Sequence, residues 1–567
     1  MPSGAEVFVR AMQELGLREI FTLVGDHLNA VLLEAARCGI RIVDMRHESA
    51  VMHAADVWAR LHRRPALGMV TGGPGHTNAI TGIATAFQAA SPLLAVSGAR
   101  AWRLADRQAF QELDQLGLVR PIVKWAAQPP RAADLGFYLG RAYAEAVAGR
   151  MGPAHLTIPV DLFEAQTDEV TPTPAPLAPP RPAPSGADVA RALALLEKAE
   201  RPVVIAGSGV WWSQAEDELV EFVEKTQLPV WTITLARGTI PDDHPLAMGY
   251  ADPALNRAAL AAFRQADVVL VLGKRLDYRM AFGGPRLFSP SARFIQVDIH
   301  APELGMNRHL EVGLCADVRA TLRAFLDHLG AKRWAARPWL ERVRQLHRQW
   351  RQHLESLAAQ DEPPMHPLAV FAELERTLPP ETLYSWDGGD FCHWGRAYLP
   401  ARRRGGWIRL GPLGTIGAAL PNAVALKLAH PDDPVVLIIG DGALGFYLAE
   451  LDTLVRHGLP VVIIVGNDAG WGIERELQRA AGGSDRTVAC ELRPTRYDLV
   501  MQACGGAGEH VETVAELRAA LQRALKASVP YLIDVRVRGA RSPFTEWQIA
   551  GKTEARGGAG PDRTEEL

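Results

Sequence analysis

The sequence predicts an α/β protein of three doubly wound domains, each with a parallel β-sheet covered by helices. Short runs rich in Val, Ile and Leu alternate with longer amphipathic segments along most of the chain, a pattern typical of parallel sheets. The length of 567 residues corresponds to three or four domains at roughly 150 residues each. Two segments without this alternation divide the chain into thirds.

The apolar runs that we interpret as strands occur in each third of the chain. In the first third they span residues 20–24, 41–45, 66–71 and 93–97, and in the middle third residues 202–206, 268–272 and 294–298. In the last third they span residues 383–385, 435–439, 461–465 and 531–535. The segments between these runs have helical spacing, so each third predicts one sheet with helices packed against it.

The two interruptions give the predicted domain boundaries. Residues 171–186 are so rich in proline that neither a helix nor a central strand is expected, so we predict a semi-rigid extended linker. Residues 334–364 are charged and helix-forming, and we interpret them as a second connector. The predicted domains are residues 1–170, 187–333 and 365–550. Residues 551–567, rich in glycine and charge, are predicted to form a mobile tail.

The composition argues against several classes of protein. With 61 basic and 64 acidic residues the formal net charge is −3, which gives no whole-protein case for binding nucleic acid. No apolar run approaches the ~20 residues that a membrane-spanning helix needs. The N-terminus has the pattern of an amphipathic helix and not of a signal peptide, and the five cysteines are scattered without a CxxC pair. We therefore expect a cytoplasmic protein without nucleic-acid or membrane partners.

The most specific motif is a pair of acidic turns in the last third. The sequence GDG at 440–442 follows one predicted strand, and GND at 466–468 follows the next, with Asp468 placed 27 residues after Asp441. Open α/β sheets bind ligands at the carboxyl ends of their strands, and a right-handed crossover brings neighbouring strand ends together. Either turn alone is explained as a tight turn, but both together predict a binding site.

The residue types in these turns indicate what is bound. The carboxylates of Asp441 and Asp468, with the carbonyl of Gly470 and phosphate oxygens, form a ligand set that suits Mg²⁺. Gly442 and Ala443 begin a predicted helix, and the free N–H groups there suit a phosphate. The sequence therefore predicts a phosphorylated ligand held through a divalent cation.

Together with further motifs, these turns resemble those of the thiamine diphosphate (ThDP) enzymes, in the acetolactate synthase-like branch. The other matching motifs, in family order, are RHE at 46–48, TGGPGHTN at 71–78, AFQELDQ at 109–115 with Pro121 and Lys124, and LGTIG at 413–417 with Pro421. The resemblance covers the whole chain and is closest in appearance to 2-hydroxyacyl-CoA lyases. It implies a pyrimidine-binding domain, a central nucleotide-type domain and a diphosphate-binding domain, assembled as a homodimer or homotetramer with active sites between subunits.

The resemblance implies a role for particular residues around the cofactor. Glu48 would hydrogen-bond the pyrimidine ring and favour the imino form that activates the thiazolium, and Ile416 would wedge the two rings into a V shape. The Gly414 carbonyl would accept from the 4′-amino group. The implied cofactor-binding positions are Glu48, Pro74, Asn78, Gly388, Gly389, Asp390, Gly414, Ile416, Gly442, Ala443 and Asn467, and the implied metal ligands are Asp441, Asp468 and Gly470.

One metal position departs from the family pattern, which usually ends in two asparagines. The carboxylate of Asp468 adds negative charge beside the diphosphate, and it either strengthens metal binding or leaves Asn467 as the ligand. By register we favour Asp468.

The implied substrate side has several candidates with open alternatives. Gln111 and Glu112 either face the thiazolium or form a solvated loop, and Asp26 either handles substrate protons with His27 or caps the following helix. Glu491 lies downstream of residues 468–470, the metal loop, and is a candidate for lining an acyl pocket. A C-terminal segment, residues 536–552, is either a basic lid for CoA phosphates or a surface cluster.

The resemblance leaves the reaction and the central ligand open. Family members hold FAD, ADP or nothing in the central domain, where GSG at 207–209 and the basic segment 274–279 follow strands. We favour a 2-hydroxyacyl-CoA lyase, which splits its substrate into an aldehyde or ketone and formyl-CoA. Acetolactate synthase, acting on a 2-keto acid, is the alternative, followed by a benzaldehyde-lyase-like or decarboxylase activity. A non-catalytic relative is disfavoured by the intact Glu48 and acidic turns.

Overall fold

The computed structural model of the protein describes residues 1–174, 180–360, 362–482 and 485–555. It confirms the predicted fold class, because these residues form three six-stranded sheets, one in each predicted domain. Each strand is joined to its sheet neighbours in parallel, and helices cover the sheets. No helix in the described part of the chain is long and apolar enough to cross a membrane.

The first domain has the strand order β2-β1-β3-β4-β6-β5. Its strands are β1 (Glu19–Thr22), β2 (Arg41–Asp44), β3 (Ala66–Val70), β4 (Leu93–Ala99), β5 (Trp125–Ala127) and β6 (Ala154–Pro159). Its helices are α1 (Gly4–Glu14), α2 (Asn29–Arg37), α3 (Glu48–His62), α4 (Pro74–Ala89), α5 (Gln115–Val119), α6 (Leu135–Val147) and α7 (Val160–Glu164). The order reverses direction between β1 and β3, so a crevice is expected at their carboxyl ends.

The central domain has the order β12-β11-β10-β7-β8-β9. Its strands are β7 (Pro202–Ala206), β8 (Val230–Thr232), β9 (Ala247–Tyr250), β10 (Val268–Leu272), β11 (Arg293–Asp298) and β12 (Val312–Cys315). Its helices are α8 (Gly186–Lys198), α9 (Ser208–Trp212), α10 (Glu216–Thr226), α11 (Arg257–Gln265) and α12 (Val318–Leu329), followed by α13 (Pro338–Ala358). This is the order of dinucleotide-binding sheets, with the crevice between β7 and β10.

The last domain has the order β14-β13-β15-β16-β18-β17, which repeats the order of the first. Its strands are β13 (Leu383–Trp386), β14 (Trp407–Arg409), β15 (Val435–Gly440), β16 (Val462–Asn467), β17 (Ala507–Val511) and β18 (Tyr531–Arg536). Its helices are α14 (Pro367–Thr377), α15 (Gly389–Tyr398), α16 (Ala419–Ala429), α17 (Asp441–Leu444), α18 (Glu450–Arg456), α19 (Gly472–Gly482), α20 (Tyr497–Ala503), α21 (Val514–Ala524) and α22 (Pro543–Ala555). Its crevice is expected between β13 and β15.

The segments between the predicted domains differ in structure. The described parts of the proline-rich segment, 171–174 and 180–185, have no helix or strand, and residues 175–179 lie outside the described residues. The second connector is largely the 21-residue helix α13, whose apolar side chains join the core of the central and last domains. Helix α22 continues to Ala555 and so includes residues 551–555 of the predicted tail, and residues 556–567 lie outside the described part.

The first and last domains share one apolar core, although the central domain separates them in sequence. Helices α3 and α16 pack together, and their buried side chains belong to a single cluster that includes Ala50, Met52, Leu420 and Val424. Helix α3 has small apolar side chains on this face, which allow α16 to approach closely. The contact fixes the first domain directly against the last.

Candidate active site

The crevice of the last domain forms a cavity at the carboxyl ends of β13, β15 and β16. It has a volume of about 170 Å³. The loops after the three strands all contribute to it, as the switch point of the sheet predicts. Its lining includes Gly388, Gly389, Asp390, Ile416, Asp441, Gly442, Ala443, Asp468, Gly470 and Trp471. The structure therefore brings together most of the cofactor and metal positions that the motifs indicated in the last domain.

The two acidic turns lie side by side. Gly440 pairs with Gly466 in the register of β15 and β16, so the residues that follow emerge together. Burial and the nearby charge of Asp468 raise the pKa of Asp441 to about 7. Burial is also the main cause that raises the pKa of Asp468, to about 6. The buried carboxylate of Asp441 and the partly buried carboxylate of Asp468, at the ends of neighbouring strands, provide oxygen ligands that suit a cation.

The oxygen donors fit a hard divalent cation whose coordination is completed by oxygens of a bound phosphate. No group of three or more Asp, Glu, His or Cys side chains in the described residues converges as a metal site. A cation at this place would therefore use Asp441, Asp468 and backbone or phosphate oxygens, as expected for Mg²⁺. The Gly470 N–H donates to Oδ2 of Asp441 at 3.1 Å, which fixes the metal loop against the first acidic turn.

The Asn467 side chain makes hydrogen bonds to other protein groups and not toward the cavity. Its Nδ2 donates to Oδ1 of Asp534 and to the Thr495 carbonyl, both at 3.0 Å, and its Oδ1 accepts from the Ala469 N–H at 3.2 Å. Asn467 is buried and does not belong to the cavity lining. Between the two candidates for the second metal ligand, this geometry favours Asp468.

Close packing explains one of the glycines around the cavity. A Cβ atom on Gly442 would lie 2.8 Å from the ring of Trp471, so a larger residue does not fit. A Cβ atom on Gly388 would lie 3.4 Å from Cγ2 of Ile416, which places the Ile416 loop against the glycine turn after β13. Gly414 has φ +75°, a left-handed conformation that favours glycine in this loop.

Asp387, which the sequence analysis did not single out, fastens this loop. Its carboxylate is fully buried and accepts the N–H groups of Gly388 at 2.7 Å, Gly417 at 3.1 Å and Ala419 at 3.1 Å. Burial raises its pKa to about 6, against the effect of those hydrogen bonds. The residue thus ties the end of β13 to the segment that carries Ile416. Its only sequence signal is an acid at the end of a strand, which is common.

Glu48 is the first residue of α3 and is 9% exposed. Asn78 Nδ2 donates to its Oε2 at 3.0 Å, which links two positions that the resemblance assigned to the cofactor. Pro74 begins α4, the helix that carries Asn78. Nδ1 of His47 caps α3 by accepting the N–H of Ser49 at 3.1 Å. The carboxylate is therefore oriented by its neighbours.

The turn before Glu48 is held by the last domain. Glu450 accepts the Arg46 N–H at 3.0 Å, and the Tyr447 hydroxyl donates to Oγ of Ser49 at 2.9 Å. The cavity at the acidic turns, however, has no first-domain residue in its described lining. Within one chain, then, the structure does not bring Glu48 into that cavity, and its meeting with the cofactor across a subunit interface stays a prediction.

His27 and Asp26 lie in the crevice of the first domain, at the end of β1. Nδ1 of His27 is 2.7 Å from Oγ1 of Thr71 and accepts the Gly72 N–H at 3.3 Å. Burial lowers the pKa of His27, so the ring is neutral near pH 7 with its proton on Nε2. Asp26 is exposed, and α2 has no side-chain cap. The helix-cap alternative for Asp26 is therefore wrong for α2.

Gln111 and Glu112 lie in the loop between β4 and α5, and they differ in role. Glu112 accepts from Arg100 Nε at 2.7 Å and from the N–H groups of Asp106 and Ala109. These bonds lower the pKa of Glu112 to about 2 and engage its carboxylate in loop structure. Gln111 has φ +59° and packs against Gly73 in the motif turn. Its side chain is the better placed of the two to meet a ligand.

Asp390 and Glu491 also have structural partners. Asp390 accepts the Ser542 N–H at 3.1 Å and the Thr545 hydroxyl at 2.6 Å, which anchors the start of α22 beside the cavity. Glu491 has a 64% exposed side chain, lies 3.4 Å from Arg475 Nε and is outside the described cavity lining. Helix α22 packs on α15, with rings of Phe544 and His393 4.1 Å apart.

A second and larger cavity, of about 370 Å³, opens at the crevice of the central domain. Central-domain residues line it together with residues of both other domains, including Arg63, Arg150, Ser208, Lys274, Arg275, Asp298, Arg409, Gly411 and Pro412. Basic side chains after β10 and the half-buried acid Asp298 at the end of β11 suit the phosphates and ribose of a nucleotide. The cavity also reaches Pro412, one residue before the loop that carries Ile416.

Comparison with known proteins agrees with this arrangement. Three models of thiamine pyrophosphate enzymes match the chain: the N-terminal TPP binding domain at residues 2–118, the central domain at 189–325 and the C-terminal TPP binding domain at 387–535. The chain belongs to the thiamine pyrophosphate enzyme family, and it is therefore an enzyme of the lyase and carboligase type that depends on this cofactor.

Relatives with two different activities resemble the chain over nearly its whole length. A probable acetolactate synthase of Mycobacterium bovis is 36% identical over 542 residues, covering 94% of this chain and 95% of the relative. The human 2-hydroxyacyl-CoA lyase 2 is 31% identical over 593 residues, covering 96% and 92%. Mouse 2-hydroxyacyl-CoA lyase 1 is 30% identical over 558 residues, covering 94% of each.

The bonds of Asp387 predict that an amide cannot replace it. In Asp387→Asn one oxygen is lost, so at least one buried N–H of Gly417 or Ala419 is left unpaired, at about 1–3 kcal/mol. We expect backbone amides of residues 413–419 to exchange with deuterium roughly 5-fold to 150-fold faster. Asp432→Asn, at an exposed residue of the same domain, is the matched control. Unchanged exchange in Asp387→Asn would contradict the role.

Proposed function

We propose that the protein is a ThDP- and Mg²⁺-dependent enzyme that forms or cleaves a carbon–carbon bond next to a carbonyl. The observation that carries the proposal is the cavity at the switch point of the last domain, which is lined by the carboxylates of Asp441 and Asp468 and by the glycine turns at 388–389 and 440–442. When bound, ThDP supplies a carbanion at C2 of its thiazolium. Gly442 and Ala443 would meet its diphosphate, and Asp441, Asp468 and the Gly470 carbonyl would hold the cation.

Glu48 is proposed to hydrogen-bond the pyrimidine ring of the cofactor and so favour its imino form. Its support is the combination of burial, a fixed position at the start of α3 and the hydrogen bond from Asn78. Ile416 would hold the ring geometry, and Gln111 with His27 would lie on the substrate side. Neutral His27 has an Nε2–H to donate, because its Nδ1 is engaged by Gly72 and Thr71.

Exposed apolar side chains on the motif loops support assembly as a homodimer, or as a dimer of dimers. Phe110 is 84% exposed and Phe446 56% exposed, while Leu413 and Leu113 are 45% and 44% exposed. Large apolar side chains this exposed are candidates for burial in a subunit interface. A second copy would complete the site by bringing its Glu48 to the metal loops of the first.

For the substrate we propose a 2-keto acid, with two pyruvates joined to acetolactate and carbon dioxide released. The relatives named acetolactate synthase, at 36% identity over nearly the full length, support this choice over the lyase that the motifs alone favoured. A 2-hydroxyacyl-CoA lyase is the second candidate, supported by relatives near 30% identity. We propose FAD for the first activity, or ADP for the second, in the central cavity. Five free thiols support a reducing cytoplasmic location.

The two activities predict different products and different bound nucleotides. Protein loaded with ThDP and Mg²⁺ is incubated with pyruvate and, separately, with a 2-hydroxyacyl-CoA, while denatured protein is analysed by mass spectrometry for released nucleotide. Acetolactate with FAD is the expected result. Formyl-CoA with ADP would instead establish the lyase. If neither substrate is converted, both candidates are contradicted.

The role of Glu48 predicts a loss of turnover without a loss of fold. Glu48→Gln keeps the size and the Asn78 contact but removes the charge, and we expect kcat at saturating ThDP to fall about 100-fold to 1000-fold, the scale of one preorganised catalytic interaction. Glu200→Gln, at a carboxylate 81% exposed, should retain full activity. Near-normal turnover in Glu48→Gln would show that the assignment is wrong.

The metal assignment predicts that ThDP and cation bind together. The diphosphate and two carboxylates repel at short range, at several kcal/mol for each close pair even at an effective dielectric of about 20. EDTA should therefore release ThDP, and Mg²⁺ should restore binding, as measured by calorimetry. Asp441→Ala should abolish ThDP binding, Asp468→Asn should keep a working site at saturating Mg²⁺, and the exposed-site control Asp217→Ala should bind normally. Unchanged affinity in Asp441→Ala would refute the site.

The proposed assembly predicts that ThDP binding requires two chains. Analytical ultracentrifugation over a dilution series should give a dimer or tetramer as the active species, and ThDP affinity should fall as monomer accumulates. A monomer with full ThDP affinity and activity would contradict the shared site.

A further inference from the structure

The carboxylate at the second metal position has a counter-charge in the same domain. Arg475, near the start of α19, places Nη1 at 3.6 Å from Oδ2 of Asp468, and the two side chains are only 11% and 15% exposed. Asp468 therefore does not bring an uncompensated negative charge to the cavity.

The guanidinium occupies a space made by two glycines. A Cβ atom on Gly470 would overlap Nη2 of Arg475, and a Cβ atom on Gly539 would lie 3.2 Å from Nη1 and 3.3 Å from Oδ2 of Asp468. The metal loop is also fixed to its neighbour, because the Trp471 N–H donates to the Cys490 carbonyl at 2.8 Å. Arg475 thus lies directly behind the loop that carries the proposed ligands.

Arg475 has few other partners for its charge. Glu491 Oε1 is 3.4 Å from Nε, but that carboxylate is 64% exposed and screened by solvent. Nε and Nη2 are buried and make no hydrogen bond with any residue that the structure describes. A buried guanidinium with unpaired N–H groups is costly, so its position needs a reason beyond packing. Asp468 is the partly buried carboxylate beside it.

We propose that Arg475 is a positioning residue that makes a carboxylate at position 468 compatible with diphosphate binding. The ion pair orients Asp468 and cancels its charge, so that together the two residues present a metal ligand with the net charge of a neutral amide. This inference rests on the metal site proposed above. It predicts that Arg475 affects the affinity for ThDP only when residue 468 carries a charge.

A double-mutant cycle tests this dependence. The variants are Arg475→Met, Asp468→Asn and the combination, with Arg475→Lys as the conservative change. Arg479→Met is the matched control, because Arg479 lies one turn further along α19 and pairs with Glu476 at 2.8 Å. The measurement is the ThDP dissociation constant at saturating Mg²⁺ by calorimetry, with thermal melting to compare the folded state of each variant.

In the wild-type background we expect Arg475→Met to weaken ThDP binding about 10-fold to 100-fold, the scale for residues that orient metal ligands. In the Asp468→Asn background the same change should cost less than about threefold, because no charge remains to be cancelled. Arg475→Lys should retain most of the affinity, and Arg479→Met all of it.

Equal losses from Arg475→Met in both backgrounds would overturn the proposal and leave Arg475 as a support for the loop. If Arg475→Met weakens ThDP binding in neither background, the proposal is overturned as well. Asp441→Ala separates this failure from that of the proposed function: if it binds ThDP normally, the metal site itself is wrong. If it does not, while the cycle shows no coupling, only the inference about Arg475 fails.

Discussion

The register of two neighbouring strands imposes the central constraint on this protein. Because Gly440 of β15 pairs with Gly466 of β16, the residues beyond both strands emerge side by side, and the carboxylates of Asp441 and Asp468 line one cavity there. Like charges in such a place disfavour one another unless a cation lies between them. Two contacts reduce this repulsion: the Gly470 N–H donates to Asp441, and the positive charge of Arg475 lies beside Asp468.

The three sheets place their motifs according to one rule, since each motif pair flanks the point where the strand order reverses. His27 and Gly72 follow β1 and β3, GSG at 207–209 and Lys274 follow β7 and β10, and Gly388 and Asp441 follow β13 and β15. The first and last sheets even share the same order. Strand order thus decides where ligands bind, while loop residues decide which ligands they are.

Much of this arrangement was predictable from the sequence, and the rest was lost for physical reasons. Buried central strands such as β10 have continuous apolar runs and were predicted within one or two residues. Seven strands of the described residues were missed: β5, β8 and β14 have only three residues, and β6, β9, β12 and β17 interrupt their apolar residues with His, Gly, Pro or Glu. The acidic turns were visible because they follow such strands. Asp387 was missed because its bonds to Gly417 and Ala419 cross 30 and 32 residues. Glu450 and its bond to Arg46 span 404 residues, and local sequence does not reveal such a contact.

The shared core of the first and last domains has a consequence for synthesis. Helix α3 presents an apolar face whose partner α16 lies beyond the whole central domain, and the bond between Ser49 and Tyr447 spans 398 residues. At a synthesis rate of about 5–20 residues per second, that face waits roughly 20 to 80 seconds for its partner. During this time the nascent chain exposes an apolar helix surface of the kind that favours association until its partner helix is made.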